Sequence, residues 1–180
     1  MARTLVGLTA IAALSVAVAG GIAFADNKDT VAVPNGYALS EFKGYEDWQM
    51  VGVSQATPQG HQLIEVILGN PAMIEAYKSG IPTNGKPVPD GARMVKIHWN
   101  AEKSATDPGN PLVPGTLHDI DTMVKDSKRF AATGGWGYGQ FNYDAATDTF
   151  SPLGTGAACG YACHNIVKTN DYVFTTYPKR

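Results

Sequence analysis

The run Cys159-Gly160-Tyr161-Ala162-Cys163-His164 holds both cysteines of the chain, with a histidine directly after the second. Two thiols beside an imidazole are the side chains that covalent c-type haem attachment uses: each sulfur adds to a vinyl group of the ring, and the imidazole reaches the iron. The usual spacing leaves two residues between the cysteines; here there are three. A disulfide between Cys159 and Cys163 and a metal site are the other chemistries open to these residues. The disulfide would close a loop too small to constrain the unfolded chain much. Zinc would need further ligands to converge on the single Cys/His cluster.

Thioether chemistry of this kind follows export, and the sequence carries an export pattern. It opens Met1-Ala2-Arg3-Thr4, runs small and apolar from Leu5 to Ala19, and then reads Ala23-Phe24-Ala25. A charged start, an apolar middle and a small-x-small end predict a signal peptide over residues 1–25, cleaved before Asp26, and a periplasmic location. Residues 26–180 are then expected to form a single haem-binding domain. No other stretch approaches the ~20 apolar residues that span a bilayer, so no membrane anchor is expected in the mature form. Removing Arg3 from 14 basic side chains, against 16 acidic ones, leaves a formal charge of −3. That balance offers no handle for nucleic acid or an anionic membrane.

The elements that must position the motif read mainly as strands. Runs rich in β-branched and aromatic residues, bounded by turn residues, predict strands over 45–54, 63–68, 92–100, 117–124 and 136–143. Asn70 and Pro71 form an N-cap and first-turn pair for a short helix over 72–78, which Gly80 stops. On the third strand Val95, Ile97 and Trp99 face one way and Met94, Lys96 and His98 the other. On the fourth, Leu117, Asp119, Asp121 and Met123 share a face by the same alternation. Glycines 134, 135, 137 and 139 precede no helix pattern, so they read as a strand approached closely by a flat ligand and not as a nucleotide loop. Trp136, Tyr138, Phe141 and Tyr143 are expected to pack the core and the ring edge. The sum is an α+β domain: a mostly antiparallel β-sheet of about five strands, a few short helices, and a C-terminal haem-attachment helix running through residues 164–168. Residues 171–177 lie too near the motif to be a free tail.

Three stretches carry a resemblance: Asp90-Gly91 through Val95-Lys96, the run Val124-Lys125-Asp126-Ser127-Lys128-Arg129-Phe130, and the cysteine–histidine motif followed by Val173-Phe174-Thr175. Together they resemble the cytochrome P-460 family, in order, over essentially the whole mature chain. The resemblance implies an exported mono-haem c-type cytochrome with a largely β fold, commonly a homodimer. It implies a lysine bonded to a meso carbon of the haem, at the place of Lys96. It also implies oxidation of hydroxylamine to nitrogen oxides, with electrons passed to a soluble cytochrome. A related branch, the β-sheet cytochromes c-prime, keeps the fold without the cross-link and binds nitric oxide or carbon monoxide. Lys96 read by itself is equally a solvated strand lysine, so its bonding separates enzyme from gas binder.

His164 is the expected iron ligand, with the opposite face of the ring open. Oxidising hydroxylamine releases protons, which calls for a base near that open face. Asp121 is the first candidate, at the family's place for a distal carboxylate and on a strand face able to part-bury it and raise its pKa; an exposed acid or salt-bridge partner is the plain alternative. Glu65 is the second, an acid inside an apolar run. His61, His98 and His118 read as structural or surface residues, with His98 set apart because it follows Lys96 by two and points the same way. A plain electron carrier with Met50, Met94 or Met123 as a sixth ligand is a third reading. The resemblance counts against it, because the family leaves that side open.

Overall fold

Short apolar runs separated by turn residues favour hairpins, and hairpins are what a computed structural model of the chain contains. It describes residues 28, 30–34, 36–153 and 157–180, with side chains in the last group from Gly160 onward. The signal peptide read over 1–25 lies outside the described residues. The strands are β1 (Gln49–Ala56), β2 (Leu63–Gly69), β3 (Arg93–Lys103), β4 (Leu112–Lys125), β5 (Trp136–Asp144) and β6 (Thr149–Pro152). They form one six-stranded sheet in sequence order, each pairing antiparallel with its chain neighbour. The fold class is therefore as read, with one strand more.

Several boundaries moved: the third strand runs on to Lys103 and the fourth starts at Leu112, because the two pair with each other beyond the stretches read as strands. Residues 45–47, read as the start of the first strand, form a short 3-10 turn entered through Gly44 at φ 81°. The extra strand β6 is four residues long, with only Phe150 buried, and it ends on a proline suited to a sheet edge. Helix α1 (Pro71–Lys78) begins as expected: Asn70 Oδ1 accepts the Met73 amide at 3.0 Å, and Pro71 fills the first turn. Helix α2 (Ala157–His164) stops at the histidine, and a 3-10 segment continues from Asn165 to Asn170.

Both faces of the sheet are covered, so its strands are apolar on both sides over much of their length. One face packs Leu68, Val95, Ile97, Ile120, Val124 and Phe141 beneath the N-terminal segment, through Val31, Val33, Tyr37, Leu39 and Phe42. The other packs Val51, Met94, Trp136 and Tyr138 against α1, Val88 and the C-terminal Val173. The alternation read on β3 holds: Val95 and Ile97 belong to the first core and Met94 to the second.

On β4 the alternation breaks. Leu117 pairs with Trp99 and Asp119 with His98, so His118 is an extra residue opposite two neighbours on β3. This β-bulge puts Leu117 in the first core with Trp99, while Asp121 and Met123 remain on the second face. Leu117 therefore does not share a face with Asp121, contrary to the period-two reading. The glycines of β5 also have a different cause. A Cβ on Gly137 would stand 2.5 Å from Phe130 and 2.9 Å from Tyr37, and one on Gly139 3.0 Å from the Tyr37 hydroxyl. The close neighbours there are Phe130, Thr122 and Tyr37 of the protein itself.

Candidate functional site

Between the second sheet face and the C-terminal segment lies a cavity of about 800 Å³, in the size range of cofactor pockets, ~300–1,000 Å³. Its walls are largely apolar, with Val51, Ile67, Met94, Met123, Leu153 and Phe174 among them. Lys96 and Asp121 enter it from the sheet, and Cys163 and His164 from α2. Residues remote in sequence thus converge on one space.

Helix α2 is held tightly to β5. A Cβ on Gly160 would lie 2.4 Å from Tyr138 Cβ, so glycine inside the motif is what lets the helix sit against the strand. Cys163 is an exposed thiol on the cavity wall. Cys159 lies in the same helix, with its side chain outside the described residues. His164 Nδ1 donates to the Tyr172 carbonyl at 2.7 Å. This bond fixes the tautomer and leaves Nε2 with its lone pair, the arrangement usual for a metal-binding imidazole. Burial pushes the His164 pKa down and the Tyr172 bond pushes it up; burial wins, with the Lys96 charge adding to it, so the ring is kept neutral. The rings of Tyr138 and Phe174 flank it at 5.0 and 4.8 Å.

The Tyr172 carbonyl is aimed by a strained turn. Asp171 and Tyr172 both have positive φ, at 46° and 64°, a costly conformation for residues other than glycine. What holds it is Asp171, whose carboxylate accepts from the buried Lys125 Nζ at 2.8 and 3.0 Å and from the Val88 amide at 2.7 Å, while Trp136 Nε1 donates to the Asp171 carbonyl at 2.9 Å. Residues 171–177 are thus no free tail: Val173 is buried, and Tyr77 Oη and Thr175 Oγ1 share a hydrogen bond at 2.7 Å. Sequence reasoning missed this Lys125–Asp171 pair. Its one signal was the lysine ending a strongly apolar strand.

On the sheet, directly paired residues make two rows across the strands. One row, Ile67–Lys96–Asp121–Gln140, lines the cavity; the next, Ser54–Glu65–His98–Asp119, runs beside it. Lys96 Nζ stands 2.9 Å from Glu65 Oε2, with a third of its side-chain surface open. Glu65 is buried and also accepts from the Ser54 hydroxyl. Burial raises its pKa, but the Ser54 and Lys96 hydrogen bonds outweigh this and keep the carboxyl below its ordinary value. Asp121 opens on to the cavity over 42% of its side chain, yet the protein packed about it desolvates the carboxylate and raises its pKa to about 6.

His98 is not a surface residue. Its Nε2 lies 3.4 Å from Glu65 and 3.9 Å from Asp121, and its Nδ1 is hydrogen-bonded to Asp119. His98, Asp119 and Asp121 bring ligand-type atoms within 4.8 Å of one another. With Nδ1 taken and the Lys96 ammonium already against Glu65, the cluster carries its own cation. His118 binds Asp119 from the exposed side, and the His61 ring lies 6.4 Å from it. Of the three methionines read as possible sixth ligands, Met94 and Met123 line the cavity, and Met50 is exposed.

An antiparallel sheet roofed by a Cys–His helix, with a neutral imidazole and a thiol facing a largely apolar space, is the build of a haem-holding β-sheet cytochrome. The Cytochrome P460 family model matches residues 42–175, and the chain belongs to that family. Membership implies a haem cofactor, and the cavity fits one: a pinned imidazole and a thiol on one wall and apolar side chains around. No curated protein matches the chain.

Proposed function

We propose that this chain is a periplasmic c-type haem enzyme that oxidises hydroxylamine to nitric or nitrous oxide, with Lys96 bonded to the haem and a soluble cytochrome as electron acceptor. The observation that carries this reading is that Lys96, Cys163 and His164 face one cavity. Cys159 and Cys163 would hold the ring and His164 its iron. Haem bound there would supply the redox iron at which the nitrogen is oxidised.

The chain's own residues then have distinct tasks. Asp121 lines the cavity with a carboxylate basic enough to take a proton from a bound substrate near neutral pH. Glu65 stands behind the cavity wall, where its ion pair orients Lys96. The apolar walls limit water around the reacting group. A homodimer is part of the proposal and rests on the family alone.

A ferric holoprotein that is green, with a red-shifted Soret band, and whose Lys96 peptide stays on the haem after denaturing digestion, is the expected result. A red five-coordinate spectrum with the Lys96 peptide released would sink the enzyme reading. It would leave a nitric oxide or carbon monoxide binder without the cross-link. One observation favours that second reading: the Lys96 amine is engaged by Glu65 at 2.9 Å.

A further inference from the structure

The row Ser54–Glu65–His98–Asp119 places four hydrogen-bonding side chains directly opposite one another on four strands. Neighbouring strands lie ~4.8 Å apart, a gap that polar side chains of this length bridge. The side chains of Glu65, His98 and Asp119 are 6–7% exposed. Three titratable groups buried together on a sheet face need a reason. Stabilisation is one, but it does not account for where the two ends lie.

One end is in the cavity. Ser54 and Asp121 both line it; Ser54 donates to Glu65, Glu65 Oε1 is 3.4 Å from His98 Nε2, and Asp121 Oδ2 is 3.9 Å from the same nitrogen. The other end is in solvent. His98 Nδ1 meets Asp119 Oδ1, and Asp119 Oδ2 meets His118 Nδ1 at 2.8 Å, with 40% of the His118 side chain exposed. On a regular strand His118 would point away from Asp119. The bulge at His118 brings these consecutive side chains together, the re-aiming that bulges perform.

We propose that Glu65, His98, Asp119 and His118 form a proton relay that carries protons between the cavity and bulk solvent. An imidazole with a carboxylate at each ring nitrogen can take a proton on one side and release it on the other. The carboxylate of Asp119, between two imidazoles, passes it outward. The charged groups around His98 are Glu65 of β2, Lys96 of its own strand, and Asp119 and Asp121 of β4; His61 stands beside His118. The inference rests on the reading of the cavity as a haem site but does not require hydroxylamine as substrate.

The test uses weakly buffered holoprotein and a pH-indicator dye, mixing first with hydroxylamine and then, separately, with hexaammineruthenium(II), a reductant whose oxidation neither takes up nor releases protons, while haem absorbance is followed in the same shot. In the wild type the proton signal is expected to keep pace with the haem signal. In His118→Gln and Asp119→Asn it should lag by about tenfold or more, with free imidazole restoring the pace in His118→Gln. His118 is half in solvent, so its variant folds even where Asp119→Asn does not. A proton signal that keeps pace in His118→Gln, a lag that imidazole does not shorten, or no proton signal with either reagent overturns the relay. Hydroxylamine that leaves the haem band unchanged, with the hexaammineruthenium(II) arm as expected, overturns only the enzymatic reading.

Discussion

Asp121 and Glu65 are both acids near Lys96, and their surroundings push them in opposite directions. Glu65 is held ionised by Ser54 and Lys96, whereas desolvation raises Asp121 to about 6. Only Asp121 combines contact with the cavity and the basicity of a proton acceptor. A carboxyl raised from 3.8 to about 6 is protonated below that pH and cannot accept a proton. Hydroxylamine turnover is therefore expected to rise with pH through about 6 and then level, and Asp121→Asn should slow it by roughly 100-fold with haem attachment unchanged. Initial rates across the pH range, with haem stain on a denaturing gel, check both parts. Beside His164, Asp171→Ala leaves the buried Lys125 ammonium without its carboxylate, with only the Gly134 carbonyl and the Trp136 ring still against it, which should cost about 3 kcal/mol in urea unfolding. The same variant should loosen the His164 Nδ1 bond, seen as a shift of that proton in NMR spectra of the apoprotein.

At the scale of elements, α2 depends on having no side chain at Gly160. Gly160→Val would drive two methyl groups into Tyr138, so α2 must lift from β5. Overpacking of this kind costs about 1–3 kcal/mol; a lower melting temperature and a smaller fraction of chains carrying haem are the expected readings. How legible these elements were follows from what each is made of. Strands β2, β3 and β5 announce themselves through runs such as Leu63–Gly69, and α1 through Asn70 and Pro71. Strand β6 is short and has one buried side chain, so its existence is decided by β5. The bulge at His118 left no mark on the alternation pattern, because Leu117 and Asp119 are compatible with either face until Trp99 and His98 choose for them. The cysteines, His164 and Lys96 could be named from local pattern and resemblance. The pairing of Lys125 with Asp171, 46 residues away, could not, since ion pairs at long separation have no local period.

Across the whole molecule, the sheet separates two cores that do different work. The N-terminal segment seals one face, where Tyr37 Oη bonds to Thr122 O and Oγ1 at 2.9 and 2.8 Å. Tyr37→Phe should lower stability by about 1 kcal/mol without altering the haem spectrum, which denaturant titration and absorbance together would check. Strand order adds a consequence in time. Every strand pairs with the one before it in the chain, so all six strands are contained in the chain up to Pro152. The segment bearing both cysteines, His164 and the Tyr172 carbonyl follows the sheet in the chain. Exported amino end first, the chain would deliver its strands before the segment that, on the haem reading proposed above, fastens the prosthetic group.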